Sequence, residues 1–175
     1  PEVRERAYGL RYTSGMINTS GSFAQRYGVF SIRAKVPPGK GLWPAFWLLN
    51  KAGGWPPEID IFEIIGQEPN NVFSAVHSAA KGKHVGEGMS TAVTDTGNDF
   101  HVYSVDWGPK EIVFFFDDKE TWRTPTPADL HDPMFIIINL AVGGKWPGAP
   151  DKKTVFPAHL DVDWVRVWQR NEYAE

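Results

Sequence analysis

The 175-residue sequence contains no cysteine, so neither a disulfide framework nor thiolate chemistry is available to it. It also has no basic excess: 18 lysines and arginines stand against 21 aspartates and glutamates, which argues against nucleic acid as a partner. Apolar runs such as Phe135–Ile138 are far shorter than the roughly 20 residues of a membrane-spanning helix. Helix signals are nearly absent, and one short helical turn is predicted at Thr126–Leu130, where Pro127 suits the first helical position.

Aromatic residues and turn formers are abundant instead, with 8 Trp, 11 Phe, 5 Tyr, 17 Gly and 14 Pro. Short stretches of β-forming residues broken by turns are typical of an all-β sandwich or barrel. Residues Gly28–Val36 alternate in polarity, which predicts a strand that buries Phe30 and places Arg33 on the opposite face. Similar stretches predict strands at Leu42–Leu49, Glu58–Glu63, Val72–Ala79, His101–Trp107, Glu111–Phe116, Met134–Val142 and Leu160–Trp168. The length predicts a single domain over residues 1–175.

The segment Glu58-Ile-Asp-Ile-Phe-Glu63 places three carboxyl groups within six residues of a predicted strand. Alternate side chains of a strand share a face, so Glu58 and Asp60 point the same way while Glu63 points away. A β-bulge around Ile61 or Phe62 would return Glu63 to the face of the other two acids. Like charges on one strand face repel each other, so this arrangement indicates a functional site.

Two carboxyl groups about 5–5.5 Å apart are what a retaining glycosidase needs, one as nucleophile and one as acid/base. In this interpretation Glu58 attacks the anomeric carbon, and Glu63 protonates the leaving oxygen and later activates water. Asp60, between them, would tune both, and an anionic Glu58 would raise the pKa of Glu63 and keep it protonated. The alternative is that the three acids form the solvated face of an ordinary strand.

The surrounding sequence favours the first interpretation. It contains ordered motifs at Gly41–Leu49, Val76–Ser78, Tyr103–Trp107, Asn139–Gly148 and Asp163–Val167. With the acidic segment, these motifs resemble glycoside hydrolase family 16, the laminarinase-type β-jelly rolls, from about Tyr12 to Trp168. The resemblance implies a concanavalin A-like sandwich of two curved antiparallel sheets. It also implies a retaining endo-glycosidase with Glu58 as nucleophile, Asp60 as assisting carboxylate and Glu63 as acid/base.

Four tryptophans are candidates for stacking against sugar rings, because an indole packs well on the apolar face of a pyranose. They are Trp43, Trp47, Trp107 and Trp146. Trp146 lies in a Gly/Pro-rich loop, which favours contact with substrate, whereas the apolar run around Trp47 favours a place in the core. For Trp107, the sequence favours neither contact with substrate nor a place in the core.

Three polar residues are further candidates for substrate binding. His77 lies on the strand expected beside the acids, although it could equally be a core histidine bonded to a carbonyl group. Arg33 projects opposite the core residues of its strand and could donate to sugar hydroxyls. Asn139 interrupts an apolar run, which predicts that it faces the cleft or satisfies a backbone group.

The resemblance predicts hydrolysis of β-1,3-glucan or mixed-linkage β-1,3-1,4-glucan by a secreted or periplasmic monomer that needs no cofactor. The segment Thr124–Met134 also resembles bacterial glycanases that trim exopolysaccharides such as succinoglycan. The sequence is compatible as well with a non-catalytic β-glucan-binding module or with a transglycosylase. Many relatives also hold a structural calcium ion at the aspartate that corresponds to Asp163, so the resemblance allows a calcium site here. The other ligands come mainly from N-terminal strands, which are either missing from this chain or part of a longer parent.

Overall fold

The computed structural model describes residues 11–94 and 96–173, and nearly all of its regular structure is β-strand. The strands are β1 (Gly15–Asn18), β2 (Gly28–Lys35), β3 (Leu42–Asn50), β4 (Glu58–Glu63), β5 (Asn71–Ser78), β6 (Val85–Ala92), β7 (His101–Trp107), β8 (Glu111–Phe116), β9 (Lys119–Pro125), β10 (Met134–Val142) and β11 (Asp161–Trp168). A single short 3-10 helix, Asn171–Tyr173, follows β11 within the described residues. Across those same residues, no helix has the length and apolar character needed to span a membrane.

The strands form two antiparallel sheets that pack face to face. The six-stranded sheet has the order β1-β10-β3-β4-β5-β6, and the five-stranded sheet has the order β11-β2-β7-β8-β9. The chain changes sheet on both sides of β2, between β6 and β7, and on both sides of β10. This is the predicted all-β sandwich, and the strands predicted from alternation are confirmed.

The hydrophobic core lies between the two sheets and is built mainly from β2, β3, β4, β5, β7, β8 and β10. On β2 the predicted alternation is confirmed, because Phe30, Ile32 and Ala34 are all fully buried. On β3, Phe46 and Leu48 point into the same core, whereas Trp43 and Trp47 lie on the opposite face and remain partly exposed. One face of β3 therefore carries large aromatic side chains toward solvent, although the run Leu42–Leu49 is almost entirely apolar.

Three strands were not predicted. β6 contains two glycines within VGEGMSTA, β9 is mainly polar, and β1 has only four residues, so none of them shows a clear β-forming pattern. At Thr126–Leu130 the predicted helical turn is a turn without helix, closed by a hydrogen bond from the Leu130 amide to the Pro127 carbonyl at 3.0 Å.

Candidate active site

A β-bulge in β4 arranges the three acids. Phe46 on β3 pairs with Phe62, but the next residue, Trp47, pairs with Asp60, so Ile61 has no partner on β3. The register toward β5 shifts over the same stretch, between Asp60 and Glu63. Ile61 and Phe62 are both buried beneath the sheet, and Glu63 therefore returns to the face of Asp60. The predicted bulge is confirmed.

The bulge leaves a backbone carbonyl that the sheet alone does not satisfy. The hydroxyl of Ser74, a buried residue of β5, donates to the carbonyl of Ile61 at 2.9 Å. A buried carbonyl without a partner would cost free energy, so this hydrogen bond stabilises the bulged conformation.

The three acids line an open groove on the outer face of the six-stranded sheet. One part of the groove, with a volume of about 550 Å³, is lined by Glu58 and Glu63. An adjoining part of about 230 Å³ is lined by all three acids. A separate cavity of about 170 Å³ lies behind β6 and contains none of the three acids. The groove is therefore the candidate site.

Indole N–H groups orient the two glutamates. Trp55 Nε1 donates to Glu58 Oε2 at 3.0 Å, and Trp43 Nε1 donates to Glu63 Oε1 at 3.0 Å. Each tryptophan thus fixes one carboxylate oxygen and leaves the other oxygen available for chemistry.

His77 lies beside the acids, as its predicted position on the neighbouring strand required. It pairs with Glu58 across β4 and β5. Its Nε2 atom is 3.3 Å from Asp60 Oδ2 and 3.9 Å from Glu58 Oε1.

The groove raises the pKa of every acid in the cluster. Burial, reinforced by the nearby charge of Asp60, raises the pKa of Glu63 to about 8. Burial and the charge of Asp60 raise the pKa of Glu58 to about 7, and burial raises the pKa of Asp60 to about 7. Because the pKa of Glu58 and the pKa of Asp60 are both raised to about 7, one of the two can hold a proton near neutral pH while the other is anionic. Glu63 is then mainly protonated at pH 7, which is the state a general acid requires.

The sequence profile described as glycosyl hydrolases family 16 matches residues 4–166 of the chain. The chain belongs to this family. The resemblance that the acidic segment and its flanking motifs predicted is confirmed.

Family 16 relatives match along nearly the whole chain. Endo-1,3-1,4-beta-glycanase EglC of Rhizobium meliloti (strain 1021) is 45% identical over 166 residues, which are 95% of this chain and 35% of that protein. Endo-1,3-1,4-beta-glycanase ExsH of the same organism is 44% identical, with the same coverage. The chain therefore spans about a third of the length of these curated relatives. The X-ray structure of the laminarinase from Rhodothermus marinus superposes with a TM-score of 0.84 at 39% identity, over 94% of this chain and 74% of that one. The predicted jelly-roll fold is confirmed.

Most of the predicted substrate-binding residues of this family 16 chain meet in the groove. Trp43 and Trp146 line one part of it, and Trp47 and Asn139 line the other. Trp47 Nε1 donates to Asn139 Oδ1 at 2.7 Å, so the asparagine positions an indole ring instead of pointing freely at the substrate. The core position favoured for Trp47 is wrong, because β3 turns this side chain toward the groove.

Two predicted residues lie elsewhere. Trp107 is fully buried in the core and packs edge-on against Tyr27, so the prediction that it contacts substrate was wrong. Arg33 lies on β2 of the five-stranded sheet, where Nη1 donates to Asp163 Oδ2 at 2.7 Å. Both belong to the sheet that does not carry the acids. Alternation within a strand separates core from exterior but cannot reveal which sheet the strand joins.

The described residues do not fit a calcium site at Asp163. Calcium needs six to eight oxygen ligands, whereas the Asp163 carboxylate is paired with the Arg33 guanidinium and the nearby Asp161 is paired with Lys35. Within the described part of the chain, Asp163 also belongs to no group of three or more close acidic or histidine side chains. We therefore assign calcium no role in the chemistry.

Several groove residues were missed by sequence reasoning. Trp55, Phe73 and Met89 line the larger part of the groove, and His84 contacts His77. A usable signal existed for Trp55, which lies in the Gly/Pro-rich segment immediately before the acidic strand, as Trp146 lies in a similar loop. No comparable local signal distinguishes the other three.

Proposed function

We propose that this chain is the catalytic domain of a retaining endo-acting glycoside hydrolase that cuts internal β-linkages of β-1,3-glucan or β-1,3-1,4-glucan. The observation that carries the proposal is the bulge that brings Glu58 and Glu63 to one groove face, with Asp60 between them. The activities of the relatives, endo-1,3-1,4-beta-glycanase and laminarinase, support this class of substrate.

The first step forms a glycosyl–enzyme ester. A Glu58 carboxylate oxygen attacks the anomeric carbon while protonated Glu63 gives its proton to the glycosidic oxygen, and the leaving sugar departs. Glu58 must be anionic for this attack, and Asp60 can hold the proton that the two share. The hydrogen bond from Trp55 fixes Glu58 Oε2 during the attack.

The second step hydrolyses that ester. Glu63, now a carboxylate, takes a proton from water, and the resulting nucleophile displaces Glu58 from the anomeric carbon. Two inversions restore the original configuration. Because the groove is open, we propose that it accepts an internal stretch of polysaccharide, and that a secreted or periplasmic monomer carries out the reaction.

The test is release of reducing ends from laminarin, barley β-glucan, succinoglycan and agarose by the wild type and by Glu58→Ser. We expect release from laminarin or β-glucan, and loss of release in the variant without a fall in melting temperature. Glu68→Ser, at an exposed position outside the groove, serves as the matched control. NMR of the first products is expected to give the β-anomer.

Three other outcomes of these assays would each favour a different function. Release from succinoglycan alone would favour an exopolysaccharide glycanase, and products longer than the starting oligosaccharide would favour a transglycosylase. If folded wild type releases nothing but is retarded by one polymer in affinity electrophoresis, the chain is a binding module.

A further inference from the structure

One oxygen of the acid cluster lacks a hydrogen bond. Asp60 Oδ2 is buried and accepts none from any described residue. His77 Nε2 lies 3.3 Å from it, within ion-pair distance but without the alignment of a hydrogen bond. A buried carboxylate oxygen without a donor is costly, so the hydrogen on this nitrogen matters to the cluster.

Which nitrogen of a neutral imidazole carries the hydrogen depends on the partner of the other nitrogen. His77 Nδ1 lies 3.0 Å from His84 Nε2. If His84 donates its Nε2–H, then His77 Nδ1 must accept, and the single hydrogen of His77 lies on Nε2. That tautomer places an N–H group, instead of a lone pair, at the nitrogen that lies 3.3 Å from Asp60 Oδ2.

His84 contacts two aromatic rings of the groove, and the loop that carries it is anchored at its start. Its ring stacks on His77 with centroids 5.2 Å apart and contacts the ring of Trp55 at 4.5 Å. The loop that carries His84 is anchored where it leaves β5, since Asp129 accepts hydrogen bonds from the Ser78 hydroxyl at 2.6 Å and the Ala79 amide at 2.7 Å.

The neighbouring strand leaves space for this pair of rings. Gly86 on β6 lies opposite His77 in the sheet. A Cβ atom at position 86 would be only 2.9 Å from His77 Nδ1, so a side chain there would displace the His77 ring or the strand.

We propose that His84 is a positioning residue: it donates a hydrogen bond to His77 Nδ1 and thereby holds His77 in the tautomer that presents Nε2–H to Asp60. The tautomer can be measured whatever the substrate, whereas its effect on turnover rests on the proposed function. Without His84, His77 can place its hydrogen on Nδ1 and turn a lone pair toward the carboxylates. The carboxylates then lose their interaction with the Nε2–H group of His77. We expect this interaction to stabilise the transition state more than bound substrate, so kcat falls while KM changes little.

Two substitutions separate the hydrogen bond from the ring contact. His84→Phe keeps a ring against Trp55 but has no donor, whereas His84→Gln keeps an amide donor of similar reach. We expect His84→Phe to lower kcat about tenfold with KM within about twofold, the loss of roughly one hydrogen bond. His84→Gln is expected to recover most of the loss. An equal rise in KM in both variants would instead show that His84 contributes to substrate binding by lining the groove, and would overturn the proposal.

A double-mutant cycle tests whether His84 acts through His77. In a His77→Phe background, the additional substitution His84→Phe is expected to change kcat by less than about twofold. A second tenfold loss in that background would show that His84 acts independently, which contradicts the proposal.

The tautomer is read directly by imidazole ¹⁵N–¹H NMR at neutral pH, with the five histidines assigned by single replacements. We expect a neutral His77 with hydrogen on Nε2 in the wild type, and a shift toward the Nδ1–H form in His84→Phe. A wild-type His77 that is cationic or carries its hydrogen on Nδ1, or a tautomer unchanged by His84→Phe, would overturn the proposal. This measurement needs no substrate, so it stands even if the chain proves to hydrolyse nothing.

Discussion

Glu63 differs from an exposed glutamate because the protein buries it beside two other acids while Trp43 holds one of its oxygens. Its raised pKa, about 8, keeps it protonated over most of the neutral range. The same environment would be unfavourable in a residue without a function, since it opposes the charged form that a glutamate normally adopts.

Replacing Glu63 by Gln removes the proton that the leaving oxygen requires. We expect kcat/KM on polysaccharide to fall by about 10²–10⁴, the usual contribution of a general acid. In the wild type, kcat/KM is expected to decline above about pH 8 as Glu63 loses its proton, and this basic limb should be missing in the variant. Initial rates from pH 5 to 10 measure both effects. Retention of the same basic limb in the variant would assign it to another group.

Trp146 and Trp107 should respond differently to substitution, because the structure places one in the groove and the other in the core. Trp146 is 41% exposed and meets the ring of Trp43 edge-on at 5.4 Å. We expect Trp146→Ala to raise KM about tenfold, equivalent to about 1.4 kcal/mol, without lowering the melting temperature. Trp107→Phe should lower the melting temperature and leave KM unchanged. Steady-state kinetics and thermal melts of both variants test the pair, and a raised KM in Trp107→Phe would contradict its core assignment.

At the scale of the strand, the bulge in β4 accommodates one extra residue between Asp60 and Glu63. Without the bulge, this spacing would turn Glu63 to the opposite face of the sheet. Ile61 and Phe62 both point into the core, where regular alternation would allow only one of them to do so. Removing Ile61 should therefore restore a regular strand in which Glu58, Asp60 and Glu63 still share the groove face.

Two single-residue deletions test this view, because each removes one buried isoleucine from β4. Deletion of Ile61 is expected to keep measurable hydrolysis, at a stability cost of about 2–5 kcal/mol for the lost apolar contacts. Deletion of Ile59 should abolish hydrolysis, because Glu58 and Asp60 become adjacent and point to opposite faces. Urea unfolding and reducing-end assays measure the two effects. Equal loss of activity in both variants, with both folded, would contradict the role given to the bulge.

The strands that sequence patterns predicted and those they missed differ in a physical way. Strands such as β2 and β10 bury bulky β-forming side chains, so their pattern is strong in the sequence itself. β6 contributes little to the core and contains Gly86 and Gly88, and it is a strand because β5 offers it hydrogen bonds along eight residues. Its conformation is thus imposed by a neighbour that local sequence does not reveal.

For the whole molecule, the acid cluster links stability to pH. The pKa of Glu63 is raised from 4.5 to about 8 on folding, so the folded protein holds a proton that the unfolded chain releases between these values. Where the folded state binds more protons, stability falls as pH rises. The stabilising effect of this proton is therefore fully present below about pH 4.5 and is lost as pH passes through about 8.

We expect the melting temperature of the wild type to fall between pH 5 and pH 8, and Glu63→Gln to reduce that fall. At pH 8 the variant should melt at least about 3 °C above the wild type, which corresponds to roughly 1 kcal/mol in a protein of this size. Differential scanning calorimetry at pH 5 and pH 8 measures these melting temperatures. Glu68→Gln, at an exposed position, is the control for loss of one carboxyl group. If wild type and Glu63→Gln lose stability in parallel, the buried charge of Glu63 is not the cause.

The sequence by itself determined the all-β architecture and the strand that carries the acids, and the spacing of the acids indicated where a bulge would have to lie. These features depend on local chemistry: the alternation of side chains, the β-forming residues around Glu58, Asp60 and Glu63, and the spacing between these acids. Local interactions depend on residues that are close in the sequence, so they can be derived without knowing which strands become neighbours.

Only the tertiary structure decided which outward-facing residues share a groove. Trp43 and His77 lie beside the acids because β3 and β5 flank β4, whereas Arg33 lies on the other sheet and Trp107 is buried between the sheets. His84 comes to the site from a loop and meets His77 across the sheet edge. Strand pairing and sheet membership depend on contacts between residues far apart in the chain. Periodicity within one strand therefore cannot determine them.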